Sequence, residues 1–147
     1  MKTAAVILLC GFIASVSAFV PDYFPACRHS NFEDWVVIEK YCVKHFEEHA
    51  NFDEAEKQCQ LMNGLSHLVT VYGTLVKRLQ DLSNSPSWIG LHFVNNNPRW
   101  LGENINTIPD VIRNQENCCV KINSSGQLEC TKCTEKHSFF CAFIENR

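Results

Sequence analysis

Little in this chain is basic. Thirteen Lys and Arg residues stand against sixteen Asp and Glu, a formal net charge of −3. The electrostatic footprint of a nucleic-acid binder is missing, and no nucleic-acid partner is expected. Blocks of like charge, the mark of disordered interaction tails, are missing too. No internal repeat or low-complexity linker divides the chain. After the first eighteen residues there is no long apolar run, so no membrane span is expected. No serine sits in a nucleophile-elbow motif, and no glycine-rich phosphate loop follows a strand.

What is present points to a single stapled domain. The 147 residues, 46% of them hydrophobic, suffice for one core. Nine cysteines argue for an oxidising compartment. Met1-Lys2, the apolar run Ala4 to Ala14 and the small residues Val16-Ser17-Ala18 follow the order of a signal peptide. Cleavage is expected after Ala18, giving a signal peptide over 1–18, an N-terminal extension over 19–26 and a domain over 27–147. Removal of Lys2 takes the net charge to −4, and loss of Cys10 leaves an even eight cysteines. Secretion into the extracellular space is the expected localisation.

The mature sequence reads as two helices followed by a run of strands, an α+β pattern. Trp35 to Ile38 is aromatic and β-branched, a strand signature. Phe52, Ala55, Cys59 and Met62 recur at helical spacing; Asn51 or Asp53 can cap this helix, and Asn63-Gly64 stops it. His67 to Val71 reads as a short strand, Thr74 to Leu82 as a second helix and Trp88 to Leu91 as a buried strand. Asn95 to Arg99 reads as a turn and Leu101 to Gln115 as mostly loop. Strands over Cys118 to Ile122 and Leu128 to Lys132 are joined by Asn123-Ser124-Ser125-Gly126, and Phe139 to Ile144 is the last strand.

Four pieces of this pattern resemble the C-type lectin-like domain over about residues 27 to 144. They are the helix Phe52 to Cys59, the strand His67-Leu68-Val69-Thr70-Val71, the core motif Trp88-Ile89-Gly90-Leu91, and Cys133 followed at the family's spacing by Cys141 in Ser138-Phe139-Phe140-Cys141. Small secreted single-domain members, pancreatic stone-type proteins and snake-venom and fish lectins among them, look most similar. The resemblance implies an α+β fold of two helices with antiparallel sheets, stapled by disulfides. It implies Cys59–Cys141, Cys27–Cys42 as an extra amino-terminal pair, and Cys118 or Cys119 with Cys133. A four-residue turn at Asn123 to Gly126 would set Ile122 opposite Gln127 and Cys119 opposite Cys130. On that register Cys119–Cys130 and Cys118–Cys133 are the expected pairs. A thiol pair used for an intermolecular bridge is the alternative.

Calcium-dependent members of the family hold the ion with carboxylates and amides around a cis-proline and on the strand before the third core cysteine. Here Ile108-Pro109-Asp110 is the best match to the proline motif, with Ile108 at the first ligand position. The second pair maps to Glu129 and Cys130. Asp110, Glu116 and Glu129 remain as candidate calcium ligands, a shortfall against the six to eight oxygens the ion takes. No cofactor is expected, with calcium the one to test. The resemblance implies a non-enzymatic binding protein whose partner is a protein or a glycan, met through Leu101 to Asn117 and Asn95 to Arg99. The alternatives are a degenerate calcium-dependent, carbohydrate-binding lectin and a structural protein associating with mineral or ice.

Three further motifs carry chemistry. His45-Phe46-Glu47-Glu48-His49 fits a zinc-peptidase pattern that needs a helix, but falls where the family has strand and turn. Cys130-Thr131-Lys132-Cys133 has redox spacing, and with Cys118-Cys119 imitates a zinc cluster; secretion favours disulfides instead. Asn123-Ser124-Ser125 is an N-glycosylation sequon on a turn.

Overall fold

The computed structural model describes residues 26–27, 34–104, 107–109, 112 and 116–145. The expected signal peptide, residues 19–25 and Asp110 lie outside the described residues. In order, the elements are β1 (Val36–Ile38), β2 (Tyr41–Ala50), α1 (Phe52–Met62), β3 (His67–Leu68), α2 (Leu75–Leu82), β4 (Ser87–Val94), β5 (Asn97–Trp100), β6 (Cys118–Ile122), β7 (Leu128–Thr131) and β8 (His137–Ile144).

Helix α1 starts where its sequence says it must. The Glu54 N–H donates to Asn51 Oδ1 at 2.9 Å, and the Asn51 N–H donates to Glu54 Oε1 at 3.0 Å. This capping box satisfies two amide groups that a helix start otherwise leaves unpaired. Phe52, Ala55 and Cys59 are its buried face.

The strands run β1-β2-β8-β4-β6-β7, with β3 on β8 and β5 on β4. Every pairing is antiparallel except β4 with β8, which join in parallel through Ser87–Ser138 and Trp88–Phe139. Strand β8 returns beside β4 in the same direction, which makes the otherwise antiparallel sheet mixed. Strand β8 is buried on both faces, and its alternation divides the core. Phe140 and Ala142 join Val43, Val69, Ile89 and Leu91. Phe139, Cys141 and Phe143 join Trp35, Phe52, Cys59 and Trp88. Trp88 is fully buried, meets Phe52 edge-on at 5.6 Å and donates its Nε1–H to the Ala50 carbonyl at 2.8 Å. Gly90 is there because a Cβ would lie 2.5 Å from the Leu68 carbonyl oxygen.

Four disulfides close the described residues: Cys27–Cys42, Cys59–Cys141, Cys118–Cys130 and Cys119–Cys133. The last two overturn the expected Cys119–Cys130 and Cys118–Cys133 pairs. The physical reason is one residue in the hairpin. Ile122 stands opposite Leu128, not Gln127, so Cys119 faces Thr131 and Val120 faces Cys130. Side chains alternate with period two, so a one-residue slip moves β7 to the other face of β6. Cys118 then shares a face with Cys130, Cα to Cα 5.6 Å, and Cys119 with Cys133, 5.0 Å.

The turn read over Asn95 to Arg99 is shorter than expected. Only Asn95 and Asn96 lie outside the strands, both left-handed at φ 53° and 69°. That is the pattern of a two-residue hairpin, which asparagine tolerates. Asn97 to Arg99 belong to β5, an edge strand where Pro98 costs no ladder bond.

Candidate ligand-binding face

The segment between β5 and β6 is pinned rather than loose where it is described. The Trp100 indole donates to the Thr107 carbonyl at 3.1 Å. The Ile112 N–H donates to the Pro109 carbonyl at 3.1 Å, and the Asn95 N–H to Asn117 Oδ1 at 2.6 Å. Glu103 ties the start of the segment to β2. Its carboxylate accepts from the Tyr41 hydroxyl and pairs with Lys40 at 3.2 Å. Burial, and then the Glu103 carboxylate beside it, push the Tyr41 hydroxyl well above its ordinary value.

Of the candidate calcium positions, Ile108 is buried in the core with Ile112, Leu91 and Val120. The sequence hid this, because an apolar residue inside a weakly periodic loop gives no face to read. Among the described residues every peptide bond is trans, Ile108–Pro109 included. Cys130 is bonded to Cys118 and brings no side-chain oxygen. Glu129 is exposed and accepts from Asn123 Nδ2 at 3.2 Å. Glu116 is exposed. Among the described residues the one group of three potential ligand side chains in reach of one another is Cys27, Cys42 and Glu145, and its two sulfurs are already bonded together. The described donors do not fit a calcium ion that takes six to eight oxygens.

The zinc-peptidase pattern fails on geometry. His45 and His49 both lie in β2, a strand. Four residues of strand separate them by about 13 Å, too far to share one ion. Cys130 and Cys133 are bonded to different partners, so they form no dithiol.

His45 belongs to a polar cluster the sequence reading missed. Its Nε2 lies 2.9 Å from Ser87 Oγ and 3.2 Å from Ser138 Oγ, and the two hydroxyl oxygens are 2.8 Å apart. Ser87 donates to the Ser85 carbonyl at 2.8 Å and Ser138 to the Pro86 carbonyl at 2.9 Å. His45 Nδ1 faces Glu47 Oε2 at 3.2 Å. Burial lowers the imidazole pKa and Glu47 pulls it back up, with burial prevailing. Order and spacing imitate a Ser-His-acid relay, but both serines are fully buried and bonded to backbone. The cluster clamps β2 across the parallel β4–β8 seam. Its partners lie 42 and 93 residues away, so no local pattern reports it.

Two of the clefts among the described residues bear on the contact surfaces expected from the sequence. One, of about 590 Å³, is apolar and lies between Tyr72 and Val76 near α2, Thr107 and Pro109 of the pinned segment, and Gln127 and Leu128 of the hairpin. The other, of about 600 Å³, is polar and is lined by His92, Asn97, Arg99, Trp100, Glu103 and Asn104. Burial, and then the Arg99 charge, lower the His92 pKa. The expected contact surfaces at Asn95 to Arg99 and Leu101 to Asn117 therefore border real concavities.

Residues 48–143 match the family model of the lectin C-type domain. The chain belongs to the C-type lectin family. Snaclec 3 of Daboia siamensis is 28% identical over 116 residues, covering 74% of this chain and 78% of its own. A snaclec of Philodryas olfersii is 35% identical over 72 residues, covering 45% and 46%, so the match spans about half of that relative's length. Botrocetin superposes with a TM-score of 0.59 at 26% identity, over 76% of this chain and 96% of its own. Ovocleidin-17 of the Gallus gallus eggshell calcified layer reaches a TM-score of 0.64 at 21% identity, over 76% and 96%, a likeness of fold alone.

Proposed function

We propose that this lectin-like chain is a secreted, non-enzymatic binding glycoprotein that recognises a protein partner without the family's calcium-dependent sugar site. One observation carries the reading. Two positions at which the resemblance calls for calcium oxygens hold a core isoleucine, Ile108, and a disulfide half, Cys130. Neither side chain carries an oxygen in any conformation, and burial of Ile108 in the core and the Cys118–Cys130 bond hold both in other roles.

The contact surface in this reading is the pinned segment with the β4–β5 hairpin, including the polar cleft at His92 and Arg99. Botrocetin supports a protein partner over a sugar, since its solved complex is with the A1 domain of von Willebrand factor. Calorimetric titration with millimolar calcium tests the reading, paired with a glycan array run with calcium and with chelator. The expected outcome is no saturable heat and no calcium-dependent glycan signal. A micromolar dissociation constant, or chelator-sensitive sugar binding, would sink it in favour of a degenerate calcium lectin using Asp110, Glu116 and Glu129.

A further inference from the structure

The sequon asparagine does structural work that a sequence motif does not reveal. Asn123 Oδ1 accepts from the N–H groups of Ser125 and Gln127, both at 3.0 Å, and Nδ2 donates one hydrogen to Glu129. Its backbone N–H donates to the Gln127 carbonyl and its carbonyl accepts from Gly126. Asn123 thus closes the β6–β7 turn. The register places its side chain as well. Ile122 and Leu128 oppose each other on the face that packs on the core, and Leu128 lines the apolar cleft. Lys121 and Glu129 oppose each other on the other face, and the Asn123 amide is bonded on that side.

We propose that Asn123 carries an N-linked glycan that projects from this outer face of the hairpin, leaves the apolar cleft open, and lets the same side chain go on closing the turn. The proposal rests on the secreted reading above, because the donor is a lipid-pyrophosphate-linked oligosaccharide of the secretory pathway. Nδ2 forms a bond to the anomeric carbon of the first sugar. The bond from that carbon to the pyrophosphate oxygen breaks, its electron pair leaving with the lipid pyrophosphate. One amide proton passes to a base of the transferase. The linked amide keeps one hydrogen and its carbonyl oxygen. The hydrogen can still reach Glu129, and Oδ1 can still accept from Ser125 and Gln127. Ser124 and Ser125 are exposed, so the acceptor strip is open to the enzyme and the sugar meets solvent.

Expression of the full chain in a secretory host tests both halves. The wild-type chain should enter the medium with the mass of one glycan, removed by an amidase-type glycosidase. Ser125→Ala removes the sequon but keeps the turn, and should be secreted bare with a thermal midpoint close to wild type. N123Q removes sequon and turn closure together, and should melt several degrees below Ser125→Ala. Amidase treatment leaves an aspartate at this position, facing Glu129 where a donor stood. The treated wild type should therefore melt below Ser125→Ala at neutral pH, with the gap closing in acid as the carboxylates protonate. Wild-type chain in the medium at its bare mass would overturn the glycan and spare the secreted reading. Chain held unprocessed inside the cell would overturn both. Equal melting of Ser125→Ala and N123Q would overturn the double role.

Discussion

The half of the molecule around α1, β2 and β8 and the half around β6, β7 and the pinned segment are built under different constraints. In the first, each strand and helix is fixed several times over. Helix α1 has an apolar stripe, a capping box and a disulfide to β8. Strand β8 is held from both faces and on both edges. In the second, two disulfides and the side-chain face of β7 all depend on how many residues the Asn123 turn contains. The first half resists small errors of placement. The second converts one residue of turn length into a complete exchange of partners.

Breaking the first half should have the largest effect. Trp88→Ala removes a fully buried ring, its edge contact with Phe52 and its bond to Ala50. We expect a loss of about 3–5 kcal/mol, the usual range for deleting a large buried aromatic. Denaturant unfolding of the oxidised chain measures it, and a loss below about 1 kcal/mol would mean that this core tolerates cavities.

The second half breaks differently. Deleting Ser124 should slip β7 past β6 as the turn draws in Leu128 to keep its five residues, setting Ile122 opposite Glu129. Cys118 would then face Cys133 and Cys119 would share a face with Cys130, and peptide mapping without reduction should find Cys119–Cys130 and Cys118–Cys133 in place of the native pairs. The slip also lifts Leu128 from the core edge, at a cost of about 2 kcal/mol. Native pairing in the deletion variant would show that the disulfides, not the turn, set the register.

The same contrast explains what could be read from the sequence. The bounds of α1 are legible because Phe52, Ala55 and Cys59 repeat at helical spacing beside a capping asparagine, which are local signals. The motif at Trp88 to Leu91 is legible for the same reason. The hairpin register is not, because period-two alternation looks equally good in either register until the turn is counted. Asn95 and Asn96 did carry the signal of a two-residue hairpin, and reading the turn through Arg99 missed it. Ile108 hid as an apolar residue in a loop, and the clamp at His45 hid because its partners are distant in the chain. Asp110 lies outside the described residues, so its place at the site rests on sequence alone.

That clamp gives the first half a pH dependence of its own. Burial holds His45 below its ordinary 6.5, with Glu47 opposing; Ser87 of β4 and Ser138 and Phe140 of β8 are its other neighbours. A histidine whose folded pKa is depressed binds its proton more readily when unfolded. Its stabilising contribution is therefore complete above 6.5 and is lost as pH falls from there towards the folded pKa. Thermal midpoints of wild type should fall across that window. His45→Gln should start lower by about 1 kcal/mol at pH 7, the worth of its hydrogen bonds, and then stay flatter as pH drops. Parallel curves for the two proteins would remove His45 as the cause.

The smallest effect belongs to Glu129, and it sharpens the comparison most. Glu129→Gln keeps an oxygen that can accept from Asn123 Nδ2 and removes only an exposed charge. Stability should change by less than about 0.5 kcal/mol, as for most surface substitutions. The same variant weighs the two functional readings. A carboxylate that holds calcium is a charged ligand, and its amide replacement should weaken the ion sharply. A carboxylate that only closes a hairpin should leave the melting curve indifferent to calcium before and after the change. We expect indifference in both proteins. A calcium-induced rise in the wild-type midpoint that Glu129→Gln abolishes would instead place Glu129 in an ion site, and would make the β6–β7 hairpin part of a sugar-binding face.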